Sequence, residues 1–354
     1  MKIALIIPCN IWFAPFVNIY TRILEEHNIR YDIISWNKEG NEDNTGLQYE
    51  KSMNTNSQIS KFIQYIKFAS FVKRVINKNK YDKLIIFTSQ AAIFMHKFLE
   101  RKYKNRYIFD FRDLSIEQSD IFKGPMKNVL KNSYSNVVSS PGFLKCLPKD
   151  FKYYLSHNFN IEIVKKVLQD STIIPFKKMP YNILTIGGIR DYDSNIEVVD
   201  ALANKKNVTI SFVGRGPASE SIKQYVNDNK IDNADFVGFY KKEDEAGYVQ
   251  ESTFMNIYYP SVITHDTALS NRFYNALIYK KPMIVKTNSI QGDYVEKYNL
   301  GLSLSNCENL HKKIQDFLDK EDNKLFNESC NNLLKEFKGD YDKFFEMIHN
   351  FVLC

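Results

Sequence analysis

Three short stretches in the second half of this 354-residue chain place glycine, arginine and amide side chains where they could hold an anion. In "GGIRDYDSN" (187–195), Gly187 and Gly188 allow close approach to the backbone and Arg190 can pair with a phosphate, while Asp193 or Ser194 can cap the next helix. In "GRGP" (214–217), Gly214 and Gly216 suit a tight turn and Pro217 a first helical position. In "SNRFYNALIYKKPMIV" (270–285), Ser270 or Asn271 reads as the N-cap of a helix whose free amides and positive dipole end attract negative charge. Arg272 in the first turn works against the helix but suits a bound diphosphate. Asn275, one turn further in, offers a donor and an acceptor to a ribose or sugar hydroxyl. Either glycine loop alone is more often an ordinary turn.

The first half carries a different set. "FDFRDLSIE" (109–117) gathers Asp110, Arg112 and Asp113 at a strand end, where charges either do proton chemistry or pair with one another. In "PCNIWFAPF" (8–16), Trp12, Phe13 and Phe16 could stack on a sugar face or touch a lipid, although core packing is the commoner use of such residues. A lone His157 in "SHN" reads as a satisfied core histidine.

The elements that must position these residues alternate β-rich runs with helical patterns, the signature of parallel α/β layers. Strands are expected at 2–7, 31–35, 84–88, 107–111, 136–140 and 152–156, then at 181–186, 208–213, 234–238, 255–259, 282–285 and 301–304. Each set suits one Rossmann-like sheet. The expected organisation is a first domain over 1–170, a linker over 171–180 with two prolines, a second domain over 181–330, and a last helix over 331–354 that packs back on the first domain. The polar stretch 37–46 reads as a loop.

Composition bounds the rest. No run approaches the roughly 20 apolar residues of a membrane span and no signal-peptide layout is visible, so a cytoplasmic location is expected. Five scattered cysteines without paired spacing argue against a zinc site or a disulfide framework. Residues 1–170 hold 26 Lys+Arg against 16 Asp+Glu, and 171–354 hold 22 against 25, so the net +7 comes from the first half. Residues 51–109 alone carry 13 basic and 2 acidic side chains. Within 57–80, Ile59, Phe62, Ile63, Ile66, Ala69, Val72 and Ile76 form a helical stripe expected to pack on the sheet. Phe68 and Phe71, off the stripe beside lysines, are expected to touch an anionic membrane.

The order "IGGIRDYDSN", "FVGRGP", "DFVGFY", "YYPS", "SNRFYNALIYKKPMIV" resembles the C-terminal domain of GT-B glycosyltransferases, especially the large retaining family (family 4-like) that builds bacterial capsule and exopolysaccharide. The resemblance covers about 181–305 well and the first half in outline. It implies two Rossmann-like domains facing each other across a cleft, with a nucleotide-sugar donor on the second and the acceptor on the first. The donor site would then comprise Gly187, Gly188, Arg190, Gly214, Gly216, Thr267, Ser270, Asn271, Arg272 and Asn275. Thr267 and Asn275 stand where the family has glutamates, Lys280 where it has glycine, and Gly188 where it has arginine. The 109–117 loop would face the cleft, with Asp110, Arg112 and Asp113 as catalytic candidates. There Asp113 acts as base toward the acceptor hydroxyl or else pairs with Arg112. The resemblance further implies hexosyl transfer without a metal or cofactor, a glycan or lipid-linked oligosaccharide acceptor, no nucleic-acid partner, and a place on the inner face of a bacterial membrane. Two other readings stand beside it. A silent sugar-nucleotide-binding subunit is favoured by the missing glutamates, whereas a dinucleotide oxidoreductase is disfavoured because no GxGxxG follows the first strand of either half.

Overall fold

Each apolar run read from the sequence becomes a strand, because short β-branched and aromatic runs bounded by turn residues suit a sheet covered on both faces. A computed structural model describes residues 1–40, 47–53, 57–177 and 179–353, with the backbone alone at Gln58. The first sheet contains β1 (Lys2–Ile6), β2 (Arg30–Asn37), β3 (Leu47–Glu50), β4 (Lys83–Phe87), β5 (Tyr107–Phe111), β6 (Ser135–Val138) and β7 (Tyr153–Leu155), in the order β3-β2-β1-β4-β5-β6-β7. The second contains β8 (Tyr181–Ile186), β9 (Val208–Val213), β10 (Ala234–Gly238), β11 (Phe254–Ile257), β12 (Met283–Lys286) and β13 (Gly301–Leu304), in the order β10-β9-β8-β11-β12-β13. Every pairing is parallel. The strand β3 is absent from the sequence reading; its "LQYE" is a short, half-polar edge. Of the loop expected over 37–46, residues 41–46 lie outside the described residues.

Two compact units result: Met1–His157 with the chain from Asp340 onward, and Asn158–Gly339. In the first, Ile3, Leu5, Ile85 and Phe87 share a core with Phe344, Ile348 and Phe351, so the end of helix Asn323–Leu353 packs on the first sheet as expected. In the second, Ile183, Ile210 and Phe212 pack against Val198, Leu202 and Leu310. Helix Ile161–Gln169, grouped with the first half in the sequence reading, belongs to the second unit, where Phe159 meets the Tyr274 ring at 5.7 Å. The proline-bearing stretch after it is also fixed there, with the Ile174 N–H donating to Asn327 at 3.0 Å.

Helix Gln58–Asn79 overturns part of the expectation for its faces. Only the second half of the stripe is core: Ala69, Val72 and Ile76 are buried, whereas Ile59, Phe62, Ile63 and Ile66 are exposed. Phe68, expected at the surface, is fully buried and stacks on Trp36 at 5.3 Å. Phe71 is half-buried against Tyr49. The second half of the helix thus covers the core, and the apolar side chains of its first turns are left exposed.

Candidate functional site

In the second sheet the chain winds one way from β8 to β10 and the other way from β11 to β13, which sets the switch point between β8 and β11. Parallel sheets bind ligands outside the carboxyl ends of their strands at such a point. Gly187 follows β8 with φ +91°, and Gly214 follows β9 with φ +126°, a region that side chains rarely enter. A Cβ on Gly214 would stand 2.1 Å from the Gly187 carbonyl oxygen, and one on Gly216 would stand 2.1 Å from that of Ile189. The second glycine loop is thus packed on the first, and Gly214 and Gly216 shape it from behind. Gly188 and Arg190 are exposed. Arg190 folds back so that a Cβ on Gly188 would meet its Nε at 3.3 Å, which puts the guanidinium where a side chain at 188 would begin. The following helix starts at Tyr192 with Asp191 as N-cap, not Asp193 or Ser194, and Pro217 precedes rather than opens helix Ser219–Asp228.

Helix Asn271–Ile278 starts as read, with the Ser270 hydroxyl accepting from the Phe273 N–H at 3.3 Å. That hydroxyl donates in turn to Gln291 at 2.8 Å, a buried amide that fixes the cap. Asn271 is exposed and accepts from Asn158 at 2.7 Å. Arg272 corrects the sequence reading: its guanidinium points inward, donating to the carbonyls of Ile186 at 2.5 Å, Gly188 at 2.9 Å and Asn256 at 3.3 Å. It clamps β8 to β11 beneath the switch point, where a buried cation is stable because several carbonyls surround it. Thr267 is buried and its hydroxyl donates back to Ile263 at 2.6 Å, so it offers no counterpart to a glutamate.

Asn275 leads to residues that the sequence did not single out. Its Nδ2 donates to Glu245 Oε1 at 2.5 Å, and Glu245 Oε2 accepts from Tyr240 at 3.0 Å and from Lys242 at 2.6 Å. Glu245 is 9% exposed. The Tyr240 hydroxyl stands 3.9 Å from a Cβ built on Gly187, so this carboxylate network borders the glycine loop. Burial, then the Glu245 charge, holds the Tyr240 phenol in its neutral form by raising its pKa. On another side, His265 stacks on Tyr259 at 4.9 Å and lies 3.5 Å from Asp191. Glu245 is one acid in the run Glu243-Asp244-Glu245, and nothing local sets it apart. Among the described residues no three His, Cys, Asp or Glu side chains gather as metal ligands would.

In the first unit the three charges at the end of β5 separate. Asp110 and Arg112 alternate onto one buried face, where Arg112 Nη2 donates to Asp110 Oδ2 at 2.5 Å and Tyr20 donates to the same oxygen at 2.5 Å. Arg112 also reaches Ser156 through its carbonyl at 3.0 Å and its hydroxyl at 2.9 Å, and lies over the Phe16 ring at 4.6 Å. Burial alone would lower the Arg112 pKa; Asp110 and Tyr20 outweigh it, and the net direction is upward. The expectation that these two face a reactive opening is corrected: they hold the strand end together. Asp113, on the opposite side of the chain, is exposed. Trp12 and Phe13 are 48% and 57% exposed, contrary to the packing expectation, while Phe16 does pack, on Phe87 at 5.3 Å. His157 is buried and bonded to Asp340 at 3.2 Å, as read. At the carboxyl end of β4, Thr88 follows the strand as a β-branched residue at φ +68°, ψ 152°, whose buried hydroxyl has no hydrogen-bond partner.

Two Rossmann-like units, each a parallel sheet wound both ways from a switch point, define the GT-B fold. The chain is similar over its whole length to solved structures with that architecture. These include a sucrose-phosphate synthase from Thermosynechococcus elongatus, at 16% identity and a TM-score of 0.69 over 100% of this chain and 99% of that one. HepE from Anabaena, in complex with UDP and glucose, is 12% identical, with a TM-score of 0.66 over 99% of this chain and 100% of that one. A UDP-N-acetylglucosamine 2-epimerase from Rickettsia bellii, 12% identical with a TM-score of 0.60 over 98% of each chain, shows that the same fold serves another reaction. No protein-family model and no curated protein matches the sequence.

Proposed function

We propose that the chain is a glycosyltransferase that moves a sugar from a nucleotide-sugar donor to a lipid-linked glycan acceptor in bacterial surface-polysaccharide synthesis, at the inner face of a membrane. The observation that carries the transferase reading is the convergence on one switch point of an open glycine loop, an exposed Arg190, the capped start of helix Asn271–Ile278 and a carboxylate network on Asn275. In this reading the loop and helix amides, with Arg190, hold the donor diphosphate. Glu245, oriented by Asn275, supplies the carboxylate that accepts a hydroxyl of the nucleoside or sugar. During transfer the bond from the anomeric carbon to the diphosphate oxygen breaks, and its electron pair leaves with the nucleoside diphosphate. The acceptor oxygen bonds to that carbon and gives its proton to the exposed Asp113. Charge on the leaving group is met by fixed amide dipoles and a guanidinium, which makes a metal-independent reaction the expectation.

A thermal-shift panel of UDP-, GDP-, CMP- and dTDP-sugars, with and without chelator, tests it. A donor at 100 times its Kd adds about 2.7 kcal/mol of stability, and turnover of that donor should survive the chelator. No shift with any nucleotide sugar would overturn the reading. The inward-turned Thr267 and the neutral Asn275 favour one rival, a silent nucleotide-binding subunit, and donor binding without hydrolysis or transfer would select it.

A further inference from the structure

We infer that the first unit docks on an anionic lipid bilayer through an apolar face formed by the start of helix Gln58–Asn79 and the start of helix Asp120–Asn132. Ile59, Phe62, Ile63 and Ile66 are 74%, 40%, 44% and 41% exposed, and Ile121 is 79% exposed. Ile59, Phe62, Ile63 and Ile66 fall on one side of their helix, and the two helix starts adjoin, because the Phe62 ring lies 5.2 Å from Phe94 and 6.1 Å from Phe122, with Phe94 and Phe122 5.9 Å apart. The same helix is anchored further on by buried Phe68, Ala69 and Val72, so the exposure belongs to a fixed surface. A bilayer fits the charge. Helix Gln58–Asn79 holds Lys61, Lys67, Arg74 and Lys78 and no acidic residue, with Lys73 held on the Phe94 carbonyl at 3.0 Å, and Lys123 and Lys127 add to the basic surface. Asp120 lies beside it, paired with Lys123 at 2.6 Å. Apolar side chains entering the acyl boundary while lysines reach lipid phosphates is how interfacial helices bind. A second copy of the chain would set this basic helix against itself in a two-fold contact. Nucleic acid would leave the isoleucines in water.

The inference deepens the membrane setting proposed above, and its test uses neither donor nor acceptor. An inactive enzyme would therefore leave it standing, and its failure would leave the transferase reading intact. The full chain is floated with phosphatidylcholine vesicles, with and without phosphatidylglycerol, at low and high salt. Binding should need the anionic lipid, fade with salt, and weaken about fivefold for each lysine of the face changed to Gln. Ile59→Glu with Ile121→Glu, at the two most exposed positions, should lower binding tenfold or more at an unchanged melting temperature. Equal recovery with neutral and anionic vesicles, unaltered binding by the double variant, or a dimer that the double variant dissolves would each overturn the proposal.

Discussion

At the switch point of the second sheet, the loop after β8 leaves Gly188 and Arg190 exposed, and Asn275 beside it is half-buried on Glu245. At that of the first, between β1 and β4, the polar groups close on one another. Asn10 is buried, donating to Asn37 at 2.9 Å and accepting from the Lys38 N–H at 3.0 Å, and Ser89 donates to buried Glu117 at 2.5 Å. What that loop shows to solvent is aromatic, Trp12 and Phe13. The difference teaches that charged residues at a strand end do not announce which way they face. Asp110 lies in β5, which is buried on both faces, and Arg112 turns back onto it from just past the strand end, whereas Asp113, one residue further on, is exposed.

The comparison breaks first at Asp110. Asp110→Ala leaves Arg112 buried without its carboxylate and should cost about 3–5 kcal/mol of stability in a denaturant titration. A loss within error would return Asp110 to the list of catalytic candidates. In the second unit, Asn275→Glu places a second carboxylate against Glu245 Oε1 and should destabilise by about 1–3 kcal/mol. The added change Glu245→Gln should recover most of it. Judged from the sequence resemblance alone, a glutamate at 275 should keep or improve nucleotide binding; improved binding in the single variant would show that Glu245 is not the resident carboxylate.

Arg190→Ala sharpens the contrast at the open site. Nucleoside-diphosphate binding should weaken about tenfold or more by titration calorimetry, nucleoside binding should change little, and the melting temperature should hold. Equal losses for both ligands would remove Arg190 from the phosphate. The smallest effect is expected at Lys281, whose buried amine donates to the carbonyls of Gln250 at 2.8 Å and Ser252 at 2.9 Å. Burial, with Lys177 nearby, brings its pKa down to about 8. The folded state therefore binds its proton less tightly than the unfolded chain, and the penalty present at neutral pH is relieved as pH rises through about 8 toward the ordinary lysine range. Wild type should gain on the order of 1 kcal/mol over that window relative to Lys281→Met, and parallel pH profiles would contradict this.

Much of the fold was legible because strand, turn and cap signals are local. All twelve strand candidates formed, and Ser270 caps its helix as its place before "NRF" implied. Lys280 at φ +54° occupies a left-handed position, which suits the glycine that the resembled sequence family has there. What remained hidden depends on distant partners. Arg272 looked like a ligand cation because its acceptors, Ile186, Gly188 and Asn256, lie 86, 84 and 16 residues away. Glu245 finds Asn275 thirty residues on, through packing that no periodicity encodes.

Thr88 bears on how this sequence can change over time. Its φ +68°, ψ 152° backbone lies in a region that is nearly glycine's alone, where a side chain costs about 1–3 kcal/mol. Selection for heat tolerance alone would favour glycine there, since that exchange relieves the backbone and removes a buried hydroxyl that lacks a partner. A lineage that keeps threonine through such selection would reveal a duty for that hydroxyl at the carboxyl end of β4, and one that drifts to glycine would mark it as an accident of history.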